Sequence, residues 1–256
     1  DSMGCMKLLN LGCGNRYHND WTNVDFKQTG PGVIAYDLTK EIPFSDNYFD
    51  VVYHSHILEH LTKQLAVPFM HNCFRVLRPG GILRVVVPDL EAIARLYLEC
   101  LEGALSGDRT SVERYQWIVL ELMDQMVRSV PGGEMLRYWY QNPLPAEEFV
   151  VERVGSEVLN VLADLRKQPN LPDLSTVADC QDPADLGRFR ISGEVHQWMY
   201  DRYSLCKLCE QVGFVNVHQC CADESLIPDF NSFLLDIEAD GVVRKPDSLF
   251  MEAVKP

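Results

Sequence analysis

Asn10-Leu-Gly-Cys-Gly14 lies where an apolar run, Lys7 to Leu11, hands over to a loop. Glycines at such a turn let the backbone approach a ligand that a Cβ would repel. Acids end the next two apolar runs, Asp25 after Asn23-Val24 and Asp37 after Val33-Ile-Ala-Tyr36. A dinucleotide fingerprint needs G-x-G-x-x-G with an acid about 20 residues further on to hold the ribose. Here the third glycine position is Tyr17, and Asp25 comes only eleven residues after Gly14. The spacing suits a shorter ligand with one ribose, an adenine and a zwitterionic tail. Gly12, Cys13 and Gly14 would take the tail, Asp25 the ribose hydroxyls, and Asp37 with the Leu38 backbone the adenine edge.

These positions need a scaffold that sets them side by side. Lys7 to Leu11, Asn23 to Phe26, Val33 to Asp37, Tyr48 to Tyr53 and Ile82 to Val87 read as five buried strands. Apolar residues at helical spacing run from about Ile57 to Leu77, and Arg78-Pro-Gly-Gly81 ends that helix with turn chemistry. Strands joined through a helix predict βαβ units and a parallel sheet that binds ligands at its carboxyl edge. Asp89 to Leu101 reads as the next helix. From 102 to 190 helical periodicity (Val112 to Val130, Glu147 to Leu165) is broken by Pro-Gly-Gly at 131 and by a polar, proline-bearing stretch from Gln168 to Asp185. Tyr200 to Val212 reads as a helix capped by Gly213, and Phe214 to His218 and Leu249 to Lys255 as closing strands. The expected organisation is a core at 1–101, a mostly helical insert at 102–190 that lids the site and recognises substrate, and a resumed core at 191–256.

Composition limits the partners. A chain of 256 residues, 46% apolar and 23% charged, is long enough to bury a core without staples. Its 23 Lys and Arg against 37 Asp and Glu leave a net charge of −14, the wrong sign for displacing counterions from nucleic acid or sitting on an anionic membrane. Nine cysteines, an odd and irregularly spaced set, read as reduced thiols packed as small hydrophobes, which predicts a cytoplasmic protein. No apolar run approaches ~18 residues and no basic-then-apolar leader opens the chain, so neither a membrane span nor a secretion signal is expected. Cys206-Lys-Leu-Cys209 sits on an amphipathic helix where leucines would serve equally, the histidines between 54 and 71 lack ligand spacing, and no metal is expected.

Several motifs in order resemble those of the class I S-adenosylmethionine-dependent methyltransferases, in particular their type 11 branch. They are Leu9-Asn-Leu-Gly-Cys-Gly14, Asn23-Val-Asp25, Asp37-Leu38 with Ile42-Pro-Phe-Ser-Asp46, Phe49 to His60, and Arg75-Val-Leu-Arg-Pro-Gly-Gly81. Val87-Pro-Asp89, His196-x-Trp-Met-Tyr200 and Ser248 to Lys255 resemble a subgroup associated with polysaccharide or secondary-metabolite assembly. The resemblance implies a Rossmann-like, doubly wound α/β sheet of seven strands. It also implies methionine-tail contacts from the Asn10 to Gly14 loop, ribose from Asp25, adenine from Asp37 and Leu38, and a sulfonium-side wall from Ser55 and His56. One departure is that the link from Gly14 to Asp25 is too short for the usual full first crossover helix.

The implied reaction moves a methyl group from S-adenosylmethionine to an O or N of a small-molecule acceptor of natural-product or sugar type, releasing S-adenosylhomocysteine. Such an in-line displacement requires donor and acceptor to be aligned. An acceptor that must shed a proton needs a base poised near neutral pH. His56 is the first candidate, since strand alternation places it with His54 at the ligand edge; His196 is the second, and Asp89 is a candidate to orient a histidine or bind a cationic group. Tyr17, Tyr138, Trp139 and Tyr200 are candidates to line the acceptor pocket. Competing readings are a non-catalytic paralogue that binds the cofactor, a nicotinamide-dependent oxidoreductase, and a protein methyltransferase.

Overall fold

The computed structural model describes residues 5–168 and 179–256. Most of the polar stretch expected between the insert helices therefore lies outside the described residues. The described chain divides into two compact units: residues up to Pro88 with Met199–Val243 and Ser248–Pro256, and Asp89–Trp198 with Arg244–Asp247.

The first unit is built on a seven-stranded sheet. Its strands are β1 (Leu8–Leu11), β2 (Thr22–Asp25), β3 (Val33–Ala35), β4 (Phe49–Ser55), β5 (Leu77–Pro88), β6 (Val215–Cys220) and β7 (Ser248–Val254). They lie in the order β3-β2-β1-β4-β5-β7-β6. β1 to β5 are parallel, and β7 alone is reversed, antiparallel to both neighbours. This is the Rossmann-like sheet of seven strands expected from the motifs. β5 starts earlier than expected. Leu77 already pairs with Phe49, and Gly80 and Gly81 exchange backbone hydrogen bonds with Lys255, so Arg78-Pro-Gly-Gly81 belongs to the strand.

Period-2 alternation sends the side chains of each strand to two faces. Leu9, Leu11, Val52, Leu83, Val85 and Val87 pack with α1 (Lys63–Val76) and with α8 (Arg202–Val212), the helix that precedes β6. Each of these fully buried side chains contributes about 1.5–3 kcal/mol of transfer free energy. α1 starts where the Thr62 side chain accepts a hydrogen bond from Leu65 N–H. α8 has a reciprocal cap, with Asp201 and Ser204 bonding each other's backbone, and it ends at Gly213 in the left-handed region.

The opposite face carries Leu8, Val51, Tyr53, Val86 and Phe250. No helix joins β1 to β2, in keeping with their short link. Trp21 from that link and the irregular segment from Ala222 to Ile237 cover this face instead, with Ile227, Phe230 and Leu235 pointing inward. One fully buried cation fastens the segment. Arg84 donates to Asp236 at 2.7 Å and Glu252 at 2.9 Å, and also to the carbonyls of Ala222 and Glu224. Tyr53 donates its hydroxyl to the same Asp236. Every charge here has a partner, as burial demands.

The second unit is helical: α2 (Leu90–Leu105), α3 (Arg109–Val127), α4 (Gly133–Trp139), α5 (Glu147–Val154), α6 (Ser156–Arg166) and α7 (Pro183–Arg190). It begins at Asp89, earlier than the expected boundary at 102, because α2 pairs with α3. The single helix expected from Glu147 to Leu165 is two. Gly155, at φ +75°, breaks it, and a Cβ there would lie 2.6 Å from the Arg244 carbonyl oxygen and from Pro246. Two of the four chain junctions of this unit, at Asp89 and Asp247, adjoin the paired Pro88 and Ser248. No described helix is long and apolar enough to cross a membrane.

Candidate active site

Four adjacent parallel strands, β3-β2-β1-β4, bring their carboxyl ends together. With neighbours ~4.8 Å apart, they make an edge roughly 14 Å long. Asp37 follows β3, Asp25 ends β2, Gly12 follows β1, and Ser55 ends β4. Sequence-distant groups thus share one line, the crevice position for ligands in open α/β sheets.

The loop after β1 is held from beneath. Gly12 and Cys13 N–H both donate to the Val24 carbonyl, at 2.7 and 3.1 Å. Gly14 N–H donates to Asp25 Oδ2 at 2.8 Å. Asn10 is buried and spends its amide inside the protein, donating to Asn23 and to the Arg16 carbonyl, so it supports the loop from within. The two glycines serve different ends. Gly12 has φ +65°, and a Cβ there would lie 2.0 Å from Ile57 Cδ1; Gly14 has φ +52° and faces open space with no atom within 4 Å. Protein packing excludes a side chain at Gly12. At Gly14 an open approach remains, which suits a ligand that touches the backbone. The Cys13 thiol is buried, and burial and the Asp25 charge push it up to about 11, so it stays protonated and inert.

Asp25 is half-buried, and with Oδ2 on Gly14 its Oδ1 has only a long contact with Lys27 N–H, at 3.5 Å. Asp37 is exposed and accepts from the Thr39 hydroxyl and N–H, which hold its carboxyl below the usual carboxylate range. The Leu38 side chain is buried, leaving only its backbone to a ligand.

At the end of β4 the expected alternation stops. His54 is sealed, its ring edge-on to Phe69 at 5.0 Å with neither nitrogen hydrogen-bonded, and burial pushes it down to about 4. It cannot serve at a ligand edge. His56 lies beyond the strand in the left-handed region at φ +56°. Its Nε2 is 2.8 Å from Ser248 Oγ and its Nδ1 is 3.2 Å from Glu59 Oε1. Both ring nitrogens thus face protein atoms, so His56 meets no acceptor directly. Glu59 is fully buried and also lies 3.8 Å from His60. Tyr200 is buried too, and burial with the Glu59 charge pushes its phenol up to about 12.

Ser248 and Glu59 were not among the expected site residues. Glu59 had a local signal, standing three residues after His56. Ser248 had none, being 192 residues away. Tyr17, the remaining candidate of this unit, presses its hydroxyl toward Gly30, where a Cβ would lie 2.1 Å away.

The other candidates belong to the helical unit. Asp89 caps α2, accepting from Glu91 and Ala92 N–H through Oδ1, while burial raises its carboxyl. That is a structural task, where the sequence had suggested orienting a histidine. His196 is buried, and its backbone N–H donates to Gln125. Tyr138 donates its hydroxyl to the Pro145 carbonyl and packs its ring 5.2 Å from Trp117. Trp139 stacks on Trp117 at 5.9 Å, with its indole N–H buried and without a partner.

Residues 19–85 match the methyltransferase domain family. A probable S-adenosylmethionine-dependent methyltransferase of Mycolicibacterium smegmatis is 45% identical over 56 residues, 22% of this chain and 21% of that protein. The ubiquinone/menaquinone biosynthesis C-methyltransferase UbiE of Vibrio cholerae is 41% identical over 61 residues, 23% of either protein. The matched stretch spans less than a quarter of these curated relatives. A SAM-dependent methyltransferase from Archaeoglobus fulgidus aligns over 98% of this chain and 87% of that one, at 11% identity and a TM-score of 0.42.

Proposed function

We propose, from the match of residues 19–85 to the methyltransferase domain family, that the chain transfers the methyl group of S-adenosylmethionine to an O or N atom of a small-molecule acceptor. The observation that carries the reading is the loop from Gly12 to Gly14, bonded to Asp25 and open beside Gly14 at the carboxyl edge of the sheet. In this assignment the loop backbone takes the methionine tail, Asp25 the ribose hydroxyls, and Asp37 with the Leu38 backbone the adenine. Ser55 and His56 stand on the sulfonium side.

The bound cofactor supplies an electrophilic methyl group on a sulfonium. The protein must hold that carbon in line with the acceptor and accept the acceptor's proton. A net charge of −14 favours the cationic cofactor and disfavours a strongly anionic acceptor.

Calorimetric titration with S-adenosylmethionine, S-adenosylhomocysteine and NAD tests the cofactor. We expect both adenosyl ligands to bind and NAD not to bind. Asp25→Asn keeps an oxygen for Gly14 N–H but loses the charge that holds two hydroxyls, and should weaken binding at least tenfold, about 1.4 kcal/mol. Absence of adenosyl binding overturns the proposal, and NAD binding in its place would establish the oxidoreductase reading. Label transfer from methyl-labelled cofactor to hydroxyl, amine and activated-carbon acceptors then fixes the atom. Transfer to carbon alone, the chemistry in UbiE's name, would overturn the O or N assignment.

A further inference from the structure

Ser248, His56 and Glu59 form a chain of contacts in a defined order. Ser248 Oγ lies 2.8 Å from His56 Nε2, and His56 Nδ1 lies 3.2 Å from Glu59 Oε1. The Glu59 charge 3.2 Å from Nδ1 favours the ring proton on that nitrogen and so favours Nε2 as the acceptor for the Ser248 O–H. Hydroxyl, imidazole and carboxylate in this atom order make a serine oxygen a stronger base and nucleophile.

The backbone fixes the arrangement. His56 adopts a left-handed conformation that is uncommon for a residue with a side chain, and its N–H is tied to the Val86 carbonyl at 2.8 Å. Such a conformation costs of order 1 kcal/mol or more and persists where the surroundings over-determine it, most often at functional sites. Ser248 opens β7 opposite Pro88, at the carboxyl end of β5. Burial grades along the chain: Glu59 has no exposed surface, His56 has 14% of its side chain exposed, and Ser248 is half-buried. The acid is therefore sealed, and the serine at the other end is the least buried member of the chain.

We propose that Ser248, His56 and Glu59 form a proton relay in which the Ser248 hydroxyl is the catalytic group that takes the proton of a bound acceptor O–H or N–H. The relay deepens the methyl-transfer reading and rests on it. As the acceptor's lone pair bonds the methyl carbon, the carbon–sulfur bond breaks with its electron pair passing to sulfur. The acceptor's proton passes to Ser248 Oγ while the Ser248 proton passes to His56 Nε2. Glu59 stabilises the resulting imidazolium, which later returns its proton to solvent. His54, His60 and Tyr200 are further titratable groups that face Glu59 and border the relay.

A relay differs from a merely structural network in the reactivity of its serine. The test treats the full chain with methanesulfonyl fluoride, where a Ser248 Oγ–sulfur bond forms, fluoride leaves and the hydroxyl proton goes to His56. Adducts are mapped by mass spectrometry, and S-adenosylhomocysteine binding is measured on the same samples. We expect one adduct, on Ser248, at a rate that rises with pH as His56 loses its proton. The rate should fall at least tenfold in His56→Gln and at least threefold in Glu59→Gln, with S-adenosylhomocysteine affinity within threefold of wild type in Glu59→Gln. If His56→Gln does not fold, the Glu59→Gln rate decides. No adduct on Ser248, or equal rates in the variant that decides, overturns the relay. Labelling of Ser248 in a chain that binds no S-adenosylhomocysteine upholds the activated serine and overturns the methyl-transfer reading.

Discussion

Gly12 and Gly14 share a left-handed backbone, yet different neighbours explain them, and substitution should separate the two. Gly12→Ala places a Cβ 2.0 Å from Ile57 Cδ1, so the Ile57 side chain must move. Strain from positive φ and overpacking together should cost roughly 2–4 kcal/mol. Gly14→Ala meets no protein atom and pays only for its conformation, about 1 kcal/mol. Its methyl group projects into the open approach, so it should weaken S-adenosylhomocysteine binding by at least tenfold while leaving the melting temperature nearly intact. Thermal unfolding and calorimetry on the two variants check this. Equal stability losses with equal affinities would mean that the space beside Gly14 is not where ligand lies.

Among the elements, the irregular segment from Ala222 to Ile237 does what a crossover helix does in a fully helical cover. The short link between β1 and β2 was legible in the sequence, because a chain that must cross to the next strand within eleven residues has no room for a helix. What replaces the helix was not legible. The segment has no period for its inward residues to follow, and its anchor joins Arg84 to Asp236 across 152 residues. The same limit hid Ser248, whereas the place of Asp25 and Asp37 at the sheet edge could be read because Asp25 ends β2 and Asp37 follows β3 by two residues. The helix broken at Gly155 was misread for a related reason: the Arg244 carbonyl that demands a glycine there is distant in sequence. Asp236→Asn tests the anchor. It leaves Arg84 buried with one carboxylate fewer and should cost about 3–5 kcal/mol, seen as a lower denaturant midpoint at unchanged slope. A loss below 1 kcal/mol would show that the apolar contacts of Phe230 and Leu235 hold the segment unaided.

Across the whole molecule, the two units carry buried groups that titrate with opposite effect. In the first unit His54 stays neutral down to about pH 4, whereas an unfolded histidine takes a proton near 6.5. Between those values the unfolded chain binds more protons, so this group makes stability climb with pH and level off above 6.5. In the helical unit burial pushes Asp247 up to about 7, with the Glu121 charge adding to the rise, against Arg153 and Lys245, which pull the other way, and a further contribution from Glu157. Asp89 and Glu121 are raised by burial as well. From about pH 4 to 7 folded Asp247 holds a proton that the unfolded chain has released, so this group makes stability fall as pH rises, and Asp89 and Glu121 act in the same direction. The exposed Asp37 and Asp108, held below the usual range, titrate lower and leave this window to the buried groups. Unfolding measured at pH 5 and pH 7.5 on two variants should therefore separate the contributions. His54→Leu, which removes two ring nitrogens without partners, should raise stability at pH 5 by on the order of 2 kcal/mol and change it less at pH 7.5. Asp247→Asn should do the reverse, stabilising at pH 7.5 and nearly neutral at pH 5. Identical shifts at both pH values in either variant would mean that the group does not change protonation on folding, and that its burial is relieved in solution.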